Sequence, residues 1–238
     1  MMAGDEKRVV LALKRIDHVV NQLPQLSLSW LSQEERDRYG SFSIGTRRQQ
    51  FLCGRFLARE AISYMRGGGW HTYFLSAPEA GPPRILWLNE PEKMDSLSIS
   101  ISHTDGWVAC AVSNSSVGVD VQSRHKPRDI VGLSQMIDCD LSLEVDPSTI
   151  KLDRLFYAHW GLREAWIKQS AAMPGVAAPR FVPNQTEDDG RDGLVSDIGG
   201  ATLVLYPARP QAIDMTPGSF PVPDWTRWRP WHETLANV

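Results

Sequence analysis

The chain has 238 residues, 42% of them hydrophobic and 22% charged, with a formal net charge of −3. Such a length builds one large domain or two small ones around a proper core, and so small a net charge excludes bulk attraction to nucleic acid or to an anionic membrane. Three scattered cysteines, Cys53, Cys110 and Cys139, have neither an even count nor metal-ligand spacing; they read as reduced thiols of a cytosolic protein.

Charged residues from Asp5 to Asp17 interrupt the first twenty positions, so no signal peptide or bilayer span is expected there. "RVVLALKRID", from Arg8 to Asp17, predicts an opening strand. Ser32 followed three residues later by Glu35 predicts a helix start with a capping box. The stretch "TRRQQFLCGRFLAREAISYMRGGG" predicts a long helix ended by Gly67, Gly68 and Gly69. At 100° per residue, Arg48, Arg55, Arg59 and Arg66 form one stripe on it, either a solvated face or a row of anion contacts. After a Pro/Gly loop and a short extended piece near Ile85, three strands are expected, Leu97–Ser102, Gly106–Ser113 and Val117–Gln122, as an antiparallel meander.

Loop with short helical pieces follows, and then a second long helix, "LDRLFYAHWGLREAWIKQS". Beyond it the residues from Met173 to Gly193 read as loop, "ATLVLYPA" as a strand, and the proline-rich end as an irregular tail. Three tryptophans in "WTRWRPW" either pack that tail back on the body or form an interaction patch. The fold class is α+β, and both halves of the chain carry a strand-and-helix unit of similar size.

Two elements carry candidate chemistry. On the strand, Val117, Val119 and Val121 share one face, leaving Gly118, Asp120 and Gln122 on the other. On the helix, Glu164 and Lys168 are four apart, on a stripe with Tyr157 and Gly161, which places Glu164 beside an apparent gap. By itself that pair is commonly a solvated ion pair worth about 0.3–0.5 kcal/mol. Together, two carboxylates on otherwise apolar elements need a cation or strong donors. With the Gln122 amide oxygen they make a hard-oxygen site suited to Mg²⁺ completed by substrate phosphates.

"SISHTDGWVACAV…VGVDVQ" resembles the S-H-S/T…G-I/V-D-I/V-E signature of 4′-phosphopantetheinyl transferases. "FYAHWGLREAWIKQS" resembles their F-x-x-x-W-x-x-K-E-A-x-x-K signature, and "LSQEERDRYGSF…RRQQFLCGRFLAREA" their N-terminal region. The resemblance implies the two-half, surfactin-type branch: two similar α+β halves, 1–113 and 114–238, in a pseudo-twofold arrangement, monomeric, with coenzyme A between them. It implies transfer of the phosphopantetheine arm to a serine of an apo acyl or peptidyl carrier protein, releasing 3′,5′-ADP. Asp120, Glu164 and Gln122 would hold Mg²⁺, Lys168 a phosphate oxygen, Ser102 and His103 the nucleotide end, and Arg48 and Arg55 further phosphates. Glu164 would serve as base, as metal ligand, or as both.

Four departures accompany that resemblance. Gln122 stands where the family has Glu, and Arg163 where it has Lys. "GPPR" lacks the basic residue between Gly and Pro, and the Gly-rich continuation after Lys168 is missing. They leave room for a rival reading, a coenzyme A- or carrier-binding homologue without transfer activity. His18, His71, His125, His159 and His232 show no ligand spacing and read as structural.

Overall fold

The computed structural model describes residues 8–23, 27–79, 81–87, 90–94, 96–125, 128–137, 152–170, 178–186, 191–209, 212–222 and 224–231. Cys139, His232 and the stretch 171–177 after the second long helix lie outside the described residues.

The chain opens with β1 (Val9–Arg15) and a short helix α1 (Ile16–Val20). Helix α2 (Gln33–Ser41) starts at Ser32 with the expected capping box, the Ser32 side chain taking the Glu35 N–H and the Glu35 carboxylate taking the Ser32 N–H. Helix α3 (Gly45–Arg66) ends where Gly67 turns to φ 84°, a left-handed value that glycine adopts without strain. A small sheet follows, β2 (Tyr73–Leu75), β3 (Ile85–Trp87) and β4 (Glu90–Met94). Next comes the hairpin of β5 (Ser98–Thr104) and β6 (Trp107–Ser113), turned by Gly106 at φ 76°.

Strand β7 (Gly118–Ser123) leaves that hairpin. It is followed by α4 (Ile130–Met136), α5 (Leu152–Ser170), β8 (Arg180–Pro183), β9 (Gly193–Asp197), β10 (Ala201–Tyr206), β11 (Ile213–Met215) and β12 (Thr226–Trp231). One sheet has the order β11-β1-β6-β5 and the other β7-β10-β9-β12-β8. In each, a first strand is followed by a long helix and a hairpin, and pairs antiparallel with the hairpin's second strand, β1 with β6 and β7 with β10.

The expected meander is therefore corrected: β7 founds a second sheet instead of extending the first. Two further expectations change. The loop after α5 contains β8, and the irregular tail supplies β11 and β12. Proline hid β12 from a pattern reading, since Pro230 lies inside it, opposite Phe181. The tryptophan-rich tail does pack back, with Trp228 buried in the α5 core.

Alternation decides the layers. Val10 and Ala12 of β1, with Val108, Cys110 and Val112 of β6, meet Cys53, Phe56, Leu57 and Ala61 of α3. The opposite faces, Val9, Leu11, Leu13, Ala109 and Ala111, meet Val119, Val121, Leu203 and Leu205 of the second sheet. That sheet's other face, with Val195 and Val204, packs on Leu155, Ala158, Leu162 and Ala165 of α5. The stack runs helix, sheet, sheet, helix. A strand inside such a stack is apolar on both faces, so β6 is buried along its whole length. Cys53 and Cys110 are free and buried, and burial pushes the Cys53 thiol up to about 11.

Where the sheets meet, β7 is an edge strand. Its outward N–H groups would be buried without partners but for the hydroxyls of β5. Ser98, Ser100, Ser102 and Thr104 accept from Val117, Val119, Val121 and Ser123 at 3.4, 2.9, 3.2 and 3.2 Å. The alternate residues Ile99 and Ile101 point instead to the α3 core. The serine–isoleucine alternation of β5 thus serves two interiors.

Candidate functional site

Strand β7 turns its even residues toward α5. At Gly118 a Cβ would lie 1.8 Å from the Ala165 carbonyl oxygen, so only glycine lets strand and helix backbones come this close. At Gly161 a Cβ would lie 2.6 Å from Val204 Cγ2. The apparent gap beside Glu164 is therefore filled by β10, and the expected opening at Gly161 is corrected. Both glycines serve contact between α5 and its sheet, which brings Lys168 to Asp120.

Asp120 is 2% exposed. Its Oδ1 accepts from Ser102 Oγ at 2.8 Å and from Lys168 Nζ at 2.7 Å, and its Oδ2 accepts from Gln122 Nε2 at 2.8 Å. Lys168 also donates to the Val119 carbonyl at 3.1 Å. Three elements, β5, β7 and α5, thus meet on one carboxylate. Gln122 presents its amide nitrogen to that carboxylate and acts here as a donor.

Glu164, half-buried one turn before Lys168, has its carboxyl raised above the usual range, first by burial and then by the Asp120 charge. Lys168 and Arg163 pull the other way. The two carboxylates are thus near enough to repel. His103 is exposed at the end of β5, yet partial burial of its ring lowers its pKa, and the charges of Lys168 and Arg47 lower it further. Sequence reasoning passed over Arg47, which is off the arginine stripe. Its signal was the Arg-Arg pair near the start of α3.

That stripe does not act as one surface. Arg59, 0% exposed, donates to both Glu35 oxygens, at 3.0 and 2.5 Å, and to the Tyr73 carbonyl, with its guanidinium over the Trp30 ring. Arg55 donates to the Ser76 carbonyl at 2.8 Å and lies 3.8 Å from Glu35; burial lowers its pKa. Arg48 donates to the Phe42 carbonyl at 2.7 Å and stacks on Tyr39. The capping-box glutamate of α2 is thereby also the anchor that fastens α2 to α3.

Among the described residues no cluster of three or more His, Cys, Asp or Glu converges on a cation site. The carboxylates described at this junction are Asp120 and Glu164.

No family model matches the chain. A holo-[acyl-carrier-protein] synthase of Bacillus pumilus (strain SAFR-032) is 31% identical over 109 residues, covering 43% of this chain and 88% of that protein. The chain belongs to the phosphopantetheinyl transferase superfamily. Within it, the 4′-phosphopantetheinyl transferase Sfp of Bacillus subtilis (strain 168) is 27% identical over 170 residues, 63% of this chain and 68% of Sfp. A phosphopantetheinyl transferase of Thraustochytrium sp. (strain ATCC 26185 / S-3) is 25% identical over 198 residues, 77% of this chain and 67% of that protein. In this phosphopantetheinyl transferase, then, the β5–β7–α5 junction is the candidate active site. Among its described residues no helix is long and apolar enough to cross a membrane.

Proposed function

We propose that the protein transfers the 4′-phosphopantetheine arm of coenzyme A to a serine of an apo acyl or peptidyl carrier protein. The observation that carries this reading is the meeting of Asp120 with Lys168 at 2.7 Å, beside Glu164. In the reaction the serine oxygen attacks the phosphorus bearing pantetheine, the bond to 3′,5′-ADP breaks, and the serine proton passes to a base.

Mg²⁺ fits the donors present. Asp120 takes three hydrogen bonds on its two oxygens, leaving one of about four lone-pair positions open, and Glu164 adds a second carboxylate. When bound, the ion would offset charge on the pyrophosphate oxygens. Lys168 delivers a positive charge from the same corner and can follow the leaving phosphate oxygens as their charge grows. Glu164 suits proton acceptance, because a carboxyl with raised proton affinity is a stronger base. Gln122 serves first as a donor to Asp120 and second as a neutral oxygen ligand.

At the nucleotide end, His103 and Arg47 receive phosphates, supported by their shared electrostatic neighbourhood with Lys168. Arg48 and Arg55 are already engaged with carbonyls, and Arg55 with Glu35 as well, so their contribution is to shape the α2–α3 corner. The repeated strand, helix and hairpin support a pseudo-twofold arrangement of halves 1–113 and 114–238 with coenzyme A between them. A cytosolic monomer completes the reading.

The test is direct. The protein is mixed with coenzyme A, Mg²⁺ and an apo carrier protein, and the carrier is weighed. A gain of one phosphopantetheine arm, absent with Asp120→Ala, supports transfer. No gain together with a coenzyme A-dependent thermal shift would leave a binding homologue in its place.

A further inference from the structure

Four hydroxyls stitch β5 to β7, but one of them reaches further. Ser98 and Ser100 accept from Val117 and Val119, and Thr104 accepts from Ser123. Ser102 accepts from Val121 N–H at 3.2 Å and also donates to Asp120 Oδ1 at 2.8 Å. Building on the transferase reading, we propose that Ser102 is a positioning residue that aims the Asp120 carboxylate, and not a contact to the nucleotide.

The proton count carries the argument. A serine hydroxyl has one proton to give and two lone pairs. Ser102 gives its proton to Asp120 and lends one lone pair to Val121 N–H, and the residue is 6% exposed. A phosphate oxygen, itself an acceptor, finds no donor left there. Both bonds also have consequences for the carboxylate. The Val121 N–H fixes the hydroxyl against the β7 backbone one residue past Asp120, so the oxygen that Ser102 holds cannot swing with the side chain. Lys168 Nζ binds the same Oδ1 at 2.7 Å, which leaves Oδ2, shared with Gln122, as the freer oxygen. Ser102 belongs to the first sheet and Asp120 to the second. The orientation of the site is therefore set by the register between the sheets, and outer-shell partners of this kind typically hold metal affinity by about 10–100-fold.

Ser100 supplies the control, since it accepts from Val119 N–H at 2.9 Å and makes no described hydrogen bond to Asp120. The experiment titrates Mg²⁺ in the presence of coenzyme A, reading the thermal shift, on wild type, Ser100→Ala, Ser102→Ala, Ser102→Cys and Ser102→Thr. Loss of a rung destabilises both alanine variants. Only Ser102→Ala is expected to raise the half-saturating Mg²⁺ concentration, by about tenfold. Ser102→Thr, which keeps the donor, restores it, and Ser102→Cys, a weaker donor of similar size, falls between. A companion cycle in denaturant needs no ligand: Ser102→Ala and Asp120→Ala combine non-additively, while Ser100→Ala and Asp120→Ala add. Equal Mg²⁺ dependence in the two alanine variants, or an additive Ser102–Asp120 cycle, overturns the proposal. A wild-type chain with no Mg²⁺ response fails the transferase reading instead, and the cycle alone then decides whether Ser102 holds Asp120.

Discussion

At the scale of single residues, the site is a negotiation over one buried charge. Asp120 carries three donors, so each substitution among them has a cost on Asp120 as well as its own. Gln122→Glu removes a donor and sets a like charge beside Asp120. Metal-free protein should melt lower, and Mg²⁺ should bind more tightly than to wild type; paired melting curves and Mg²⁺ titrations check both. Equal affinity in the two forms would remove Gln122 from the metal shell. Lys168→Met leaves Asp120 short of its only charged donor in the described contacts, at about 2 kcal/mol of stability. It should abolish most transfer, whereas Lys168→Arg should keep the stability and lose rate, because the guanidinium fork is not an ammonium point charge.

At the scale of elements, the approach of α5 to β7 is the sensitive distance. Gly118→Ala forces a methyl against the Ala165 carbonyl, where neither backbone can yield cheaply. Overpacking of this kind costs about 1–3 kcal/mol. It also moves Lys168 and Glu164 away from Asp120, so activity should fall further than the melting temperature implies. Farther along the same elements, Arg124 after β7 donates to Asp197 at the end of β9 at 2.7 Å, and Arg154 of α5 reaches it at 3.1 Å. Burial alone would raise the Asp197 carboxyl, but the Arg124 bond and charge, the Gly199 N–H and Arg154 together hold it below the usual range. A depressed carboxyl stabilises the fold above its unfolded value, near 3.8, and that gain fades as pH falls through the folded value. Asp197→Asn should therefore melt below wild type at neutral pH, with the gap closing in strong acid; a constant gap would mean packing, not charge.

For the molecule as a whole, the inter-sheet core is shared property. Val9, Leu11, Leu13, Ala109 and Ala111 from one sheet face Val119, Val121, Leu203 and Leu205 from the other. Separated, each sheet would expose an apolar face. Strand β11 adds a covalent tie, since the chain returns to pair with β1 and runs on to Phe220, whose ring meets Trp107 edge-on. Unfolding should be one transition, with the same midpoint by far-ultraviolet dichroism and by tryptophan fluorescence. The fragments 1–113 and 114–238, produced alone, should lack cooperative melts. Two independent transitions would show halves that stand by themselves.

Local order was legible from the chain alone. The Ser32–Glu35 capping box, the glycine stop after α3, the amphipathic run of α5 and the alternation of β7 are all written within a few residues of where they act, so short-range sterics and periodicity reveal them. The candidate residues Asp120, Glu164 and Lys168 were visible for the same reason, as charges on apolar elements. What needed the tertiary structure was the destination of each face. What the serines of β5 face stays undecided until β7 arrives with unpaired N–H groups. The arginines of α3 read as a solvated face or a row of anion contacts until Glu35 from α2 neutralises one inside the core. Gly161 looks like an opening until Val204 fills it. In each case the deciding partner lies far away in sequence, and no local pattern encodes which buried group will need it.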